Sequence, residues 1–197
     1  MSKTTYEILE IIYAFERQKT IIYTVAILFL MSFVISYILF YLDIGGIKEI
    51  GEMTFKQFSE YINSLNLENK SSFDIFYYIL THNLSVEILE YVLTIFSILI
   101  VISNAFILAY VLYINNPLTF ILLVLPHGIV EIPALILSSS SGIVLFKGMI
   151  KKLKKNNNYI MDCKDSLRLL FISILLFVIA GIIESSVTFE IKKLIIG

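Results

Sequence analysis

Residues 125–142 read LPHGIVEIPALILSSSSG, and their interpretation sets the terms for the whole chain. Pro126, His127, Gly128, Glu131 and Pro133 interrupt a run that is otherwise apolar. A histidine and a glutamate are costly to hold in hydrocarbon and demand partners there. Proline removes a backbone donor and crowds the preceding turn. Residues 126–128 are therefore expected to break or bend a backbone that lipid would otherwise force into one helix.

From His127 one helical face continues through Glu131, Ala134, Ser138 and Gly142, all polar or small, while Ile129, Ile132, Ile136 and Ile143 point elsewhere. A row of small residues at four-residue spacing lets a second helix approach closely. His127 and Glu131, one turn apart, can bond each other or a residue such as Glu184 or Asn104. Pro133 leaves the carbonyl of Ile129 free as an acceptor near them. Three roles stay open: a polar bolt in the bundle, a ligand, lipid or proton site, and a catalytic or metal site. The metal pattern is weak, because zinc hydrolases of the HExxH kind carry two histidines on one helix. Here the spacing is H-x-x-x-E, and His82, Glu131 and Glu184 could meet only through folding. The serine run 138–141 belongs to no Ser-His-Asp order. No nucleophile elbow, P-loop or dinucleotide fingerprint occurs, so neither an enzyme nor a bound metal or cofactor is expected.

Composition supports a membrane setting. The 197 residues are 58% hydrophobic and 16% charged, with a mean hydropathy of +0.87. A soluble chain averages about 45–50% apolar residues, and several uncharged runs exceed the roughly 18 residues of a transmembrane candidate. The expectation is an all-α polytopic bundle, a single membrane domain of about four to five spans. A net charge of −1 gives no basic character for nucleic acid. The single cysteine, Cys163, excludes an intrachain disulfide and a CxxC site.

Along the chain, residues 1–20 carry Ile8, Leu9, Ile12 and Phe15 on one side, as an amphipathic surface helix or an extension of the first span. Residues 21–42 form that span, ending near Asp43 and Gly45-Gly46. The polar segment 43–72 is expected to hold a short amphipathic helix capped by Thr54. Residues 73–114 are too long for one crossing, so a short helix at 73–81, a break at His82-Asn83 and a span at 86–114 are expected. In that span Glu90, Ser97 and Asn104 recur every seven residues and should face the bundle. After Asn115-Asn116-Pro117, the next helix should run to about Met149. A last span at 166–189 carries Gly181, Glu184, Ser185 and Thr188 on one face.

Orientation poses a counting problem. The lysine-rich stretch Lys147–Lys164 should be cytoplasmic. An N-terminus on the same side requires an even number of crossings between them. Three obvious spans precede the cluster, so either one is split or re-entrant, or the N-terminus lies outside and leaves Lys3, Arg17 and Lys19 there. The expected candidate is 117–149, entering as a half-helix, breaking at Pro126-His127-Gly128 and returning.

The stretch at 125–142 resembles the signature of the stage II sporulation protein M family, integral membrane proteins also called DUF95. Pro126, His127, Gly128, Ile129, Glu131, Pro133, Ala134 and Gly142 carry the resemblance. The pair His82-Asn83 and the ending Gly181-Ile182-Ile183-Glu184 with Ser185 and Thr188 extend it, so it covers about 73–190. Ala105 departs from it where many members have glycine after the asparagine, and the serine run replaces small alanines and glycines. The resemblance implies a multi-pass protein of a bacterial or archaeal cell membrane. It implies a non-enzymatic, oligomeric scaffold, surrounded by membrane lipid, that recruits other membrane or membrane-associated proteins. It also marks His82, Asn83, Asn104, His127, Glu131 and Glu184 as the polar site residues, with Pro126, Gly128, Pro133, Ala134, Gly142 and Gly181 shaping helix bends and packing, to which the small-residue row adds Ser138.

Overall fold

A computed structural model describes residues 3–64 and 70–188, and among these every regular element is a helix. They are α1 (Lys3–Leu42), α2 (Ile47–Ser64), α3 (Ser72–Leu93), a 3-10 turn (Thr94–Phe96), α4 (Ser97–Ile114), α5 (Pro117–Leu153) and α6 (Tyr159–Ile183), closed by a π-helical turn (Glu184–Thr188). Four stretches are long and apolar enough to cross a membrane: 5–42, 72–114, 124–153 and 159–186. The expected all-α membrane bundle is what forms, and the protein is a multi-pass membrane protein.

The polar start and the first span make one continuous helix, α1. Gly45 and Gly46, at φ +67° and +72°, then turn the chain in a region that other residues rarely enter. Because the turn is complete by Gly46, α2 starts at Ile47. Thr54, expected as its cap, sits inside the helix and donates to the carbonyl of Ile50 at 2.7 Å. Gly51 lies against the rings of Phe40 and Tyr110, leaving no room for a side chain. Phe40, Phe106, Tyr110 and Tyr113 form an aromatic knot that ties the end of α1 to the end of α4.

The expected break at His82-Asn83 does not occur. Ser71 caps α3 reciprocally with Asp74, and the helix runs unbroken to Leu93. The break comes at Thr94, whose φ is +55°. Contacts with α5 show what happens there. Ser138 of α5 donates to the carbonyl of Glu87 at 3.4 Å, and Gly142 lies against Glu90 and Thr94. Up to this point α3 and α5 run the same way. After the turn Ser97 meets Ser139 at 2.7 Å, and Val101 and Ala105 join Ala134 and Leu135 in one core cluster. The order along α5 is now inverted, so α4 runs back the way α3 came.

The pair α3–α4 is therefore a helical hairpin that enters and returns. Its tip, Thr94-Ile95-Phe96, is uncharged, and Phe96 is largely exposed. This solves the counting problem differently from the sequence expectation. Within the bundle α1 runs one way, α3–α4 runs out and back, and α5 runs opposite to α1. The start of α1 and the lysine-rich turn after α5 accordingly lie at one end, where Arg17 meets Asp165 and Lys147 meets Gln18.

The predicted break at Pro126-His127-Gly128 is corrected as well: α5 is one helix of 37 residues through both Pro126 and Pro133. Each proline costs a single ladder bond, on the order of 3 kcal/mol. A full break would leave many more backbone groups unsatisfied in an apolar bundle. Asn116 caps the start, accepting from the Thr119 N–H at 2.8 Å, with Pro117 at the first helical position. At about 1.5 Å per residue α5 reaches about 55 Å. It is also the central helix, with half of its apolar window buried against 22% for α1 and for 72–114.

Candidate functional site

α5 and α6 form an antiparallel hairpin, which brings the end of α6 back to the first half of α5. The small residues on the facing sides make this approach close. Ala134 and Ser138 are fully buried, and Gly181 sits against Phe76 and Ile79 of α3. Beyond Gly181 the α-helix gives way to a π-turn beginning at Glu184. Such a turn shifts the angular position of the side chains that follow it, and it occurs frequently at functional sites.

Here His127, Glu131 and Glu184 come together. The Nε2 of His127 is 3.7 Å from the Oε2 of Glu131, and one ligand atom from each of the three lies within 4.8 Å of the others. Each side chain is partly buried. One imidazole nitrogen and two carboxylate oxygens suit a divalent cation such as zinc or manganese. The set equally suits a proton shared among three titratable groups. The histidine of this group is His127, on the same helix as Glu131, with Glu184 as the partner expected for them; His82, which could have joined such a set through folding, is not part of it.

The remaining candidates lie elsewhere. His82 is exposed and stacks on Tyr78, with ring centroids 6.4 Å apart. Asn83 is half-buried on α3. The antiparallel register that sets Phe76 and Ile79 against Gly181 and Glu87 against Ser173 places Asn83 toward the middle of α6, away from Glu184. Asn104 is exposed, and its amide donates to the carbonyl of Ile100 at 2.9 Å. The seven-residue face thus holds for Glu90 and Ser97 but fails at Asn104. In α4 the buried row is Ser97, Val101, Ala105 and Ala109, a four-residue ridge packed on α1. That row drifts around the helix by about 40° per step and leaves position 104 outside it. Pro126 is half-buried, Pro133 is exposed, and Gly128 is buried.

A second cluster went unrecognised as a site. Glu87 and Glu90 on α3 are both fully buried. The Ser173 hydroxyl of α6 donates to Glu87. The other oxygen of Glu87 and both oxygens of Glu90 have no hydrogen-bond partner among the described residues. The serine run supplies the facing wall, with Ser138, Ser139, Ser140 and Ser141 all buried. Glu90 was visible as part of a polar face. Glu87 was hidden because its carboxylate's hydrogen-bond partner among the described residues, Ser173, is 86 residues away.

A third cluster locks the lysine end. Arg17 grips Asp165 with two nitrogens at 2.9 and 2.6 Å. Gln18 donates to Asp162 and Asp165 and accepts from Lys147. Lys151 pairs with Asp162 at 2.6 Å.

Comparison with known proteins agrees with this architecture. The family model for stage II sporulation protein M matches residues 25–189. The chain belongs to the stage II sporulation protein M family. Among its relatives is the uncharacterized protein MJ0706 of Methanocaldococcus jannaschii, 38% identical over 198 residues, covering 98% of this chain and 92% of that protein. A second, the uncharacterized protein MJ0793 of the same organism, is 32% identical over 174 residues, covering 82% of this chain and 92% of its own length. No solved structure matches the chain. The family match spans the His127/Glu131/Glu184 cluster and the Glu87/Glu90 cluster. It starts after Arg17 and Gln18, so the lock joins residues outside the matched region to Asp162 and Asp165 inside it.

Proposed function

We propose that this member of the family is a non-enzymatic membrane scaffold that associates with a second copy of itself and organises partner proteins at the membrane. The carrying observation is Asn104. It stands exposed in the middle of α4, an otherwise apolar helix, with one N–H and its carbonyl oxygen unused among the described residues. In lipid such an amide gains by bonding to another helix, where asparagine acts as glue. A two-fold interface presents the same patch from each copy, so Asn104 can meet its own counterpart with a donor and an acceptor on both sides. The partner-organising role is the one the family resemblance implies.

The test is the mass of the purified protein in mild detergent. Wild type is expected as a dimer or larger, and Asn104→Leu as a monomer with an unchanged helical spectrum. A tagged pull-down of Glu131→Ala beside wild type then asks whether the polar cluster shapes the partner-binding surface; the variant is expected to lose co-purifying proteins. If Asn104→Leu keeps its mass and Glu131→Ala keeps its partners, the scaffold reading fails.

A second reading, as a transporter-like component, draws on the convergence of His127, Glu131 and Glu184 within the bundle. It predicts proton or solute flux in proteoliposomes that His127→Ala abolishes, and flux indifferent to that change would end it. For either reading we place the protein in the cell membrane with the lysine end in the cytoplasm, because Arg17, Lys147 and Lys151 gather there. A cysteine introduced by Asn157→Cys in a Cys163→Ser background should resist an impermeant maleimide in intact cells. Labelling from outside would invert the orientation.

A further inference from the structure

Glu87 and Glu90 lie in the last turns of α3, just before the chain reverses at Thr94. Both have zero exposure, and neither is in an ion pair among the described residues. The groups facing them carry no charge. Ser173 of α6 donates to Glu87 and Ser138 of α5 to the Glu87 carbonyl, while Ser97, Ser139, Ser166 and Tyr91 bond among themselves and to the serine run. Several of these hydroxyl protons are already engaged. Ser138 directs its proton to the Glu87 carbonyl at 3.4 Å, and Ser166 directs its own to the Ser141 carbonyl at 2.8 Å. Among the described residues, Oε2 of Glu87 and both oxygens of Glu90 have no well-formed hydrogen bond, the Ser138 hydroxyl standing beside Glu90. A charged carboxylate in such a place requires a compensating cation.

The donor set identifies the cation's class. The polar groups that bond beside the two acids are oxygens: the Ser173 hydroxyl on Glu87 and the Ser138 hydroxyl on the Glu87 carbonyl. That excludes ions that prefer nitrogen or sulfur. Magnesium keeps several waters and gives them up reluctantly, a poor match for two acids with zero exposure. An interrupted helix beside ionisable groups is also how membrane proteins commonly hold sodium, through carboxylates and freed backbone oxygens.

We propose that Glu87, Glu90 and the hydroxyls of Ser138 and Ser173 form a sodium site at the tip of the α3–α4 hairpin. The exchange is balanced in charge. One Na+ enters and one proton leaves Glu90, while the remaining proton on the pair stays, so the site is neutral before and after. This site is separate from His127, Glu131 and Glu184: seven residues along α5 from Glu131 to Ser138 amount to about 10 Å. It stands independently of the scaffold reading.

The test uses the full-length protein in detergent, with NaCl exchanged for KCl or choline chloride at constant ionic strength. Sodium at ten times its dissociation constant should raise Tm by about 3–5 °C, with no comparable rise in potassium or choline. In weak buffer about one proton should be released per sodium bound, the exchange ratio of a site that stays neutral. Glu90→Gln should abolish the shift, and Glu131→Gln should keep it. Should Glu90→Gln fail to fold, retention of radioactive 22Na+ by wild type decides the matter, together with weakened retention in Ser138→Ala. An equal shift in potassium, the absence of 22Na+ retention, or a full sodium shift in Glu90→Gln would overturn the proposal. A pair neutralised by two protons alone would show itself as the absence of any sodium effect.

Discussion

Two pairs of buried acids, each spaced three residues apart on a helix, have opposite surroundings in this protein. Asp162 and Asp165 on α6 face Arg17 and Gln18 of α1 and Lys147 and Lys151 of α5. Glu87 and Glu90 on α3 have no ion pair among the described residues, and Glu87 takes a hydroxyl proton from Ser173. The difference follows from depth. At the lysine end, long basic side chains lay their stems along apolar surface and keep their heads near water. At the hairpin tip the neighbouring helices offer serine and glycine, which permit close approach but bring no charge. Burial alone therefore does not tell a structural acid from a functional one; the nearest opposite charge does.

The sharpest way to break this comparison is to remove one member of the paired set. Arg17→Ala leaves Asp165, which is fully buried, with Gln18 and the more distant Arg168. Breaking a buried pair costs about 3–5 kcal/mol. The lower figure is expected, because the Arg17 side chain is 31% exposed. Denaturant unfolding in mixed micelles measures it. A loss below about 1 kcal/mol, the range of surface pairs, would make the cluster a surface feature and not a lock.

The next effect belongs to the unpaired region. A Cβ on Gly142 would stand 2.8 Å from the Glu90 carbonyl and 3.3 Å from the Thr94 Cα, both backbone atoms that cannot swing aside. Gly142→Ala should push the hairpin tip off α5 and cost about 1–3 kcal/mol, the usual range for overpacking. The same unfolding experiment reads it. A neutral result would mean that the tip is docked loosely and that the serine wall does not confine Glu90.

These two regions differed in how far the sequence revealed them. Hydropathy and length displayed the spans, and the motif around His127 and Glu131 pointed to their helix. The convergence of Glu184 on that motif was among the partners considered. The direction reversal at Thr94 was hidden, because Leu93-Thr94-Ile95-Phe96 contains no glycine or proline and reads as continuing helix. The prolines misled in the opposite sense: Pro126 and Pro133 look like breaks, yet the packed helix absorbs them. Asn104 fits a seven-residue face, but the close contact of Val101, Ala105 and Ala109 with α1 follows a four-residue row and turns Asn104 outward. The lock was invisible for a simpler reason. Arg17 and Asp165 are 148 residues apart, and nothing local marks either as the other's partner.

The smallest expected effect carries the opposite sign and separates the two acid pairs most cleanly. In sodium-free buffer near neutral pH, Glu90→Gln replaces a buried acid lacking any counter-charge with a neutral group of nearly the same shape. Without sodium the pair is neutral, so the substitution removes no charge and leaves the packing almost unchanged. The variant should therefore match wild type or exceed it by about 1 kcal/mol, whereas Arg17→Ala lowers stability. In saturating sodium the order should reverse, since only wild type gains from the ion. A Glu90→Gln protein that is clearly destabilised without sodium would show that the carboxylate already has a structural partner. Glu87 and Glu90 would then belong with Asp162 and Asp165, and depth in the bundle would no longer distinguish the two pairs.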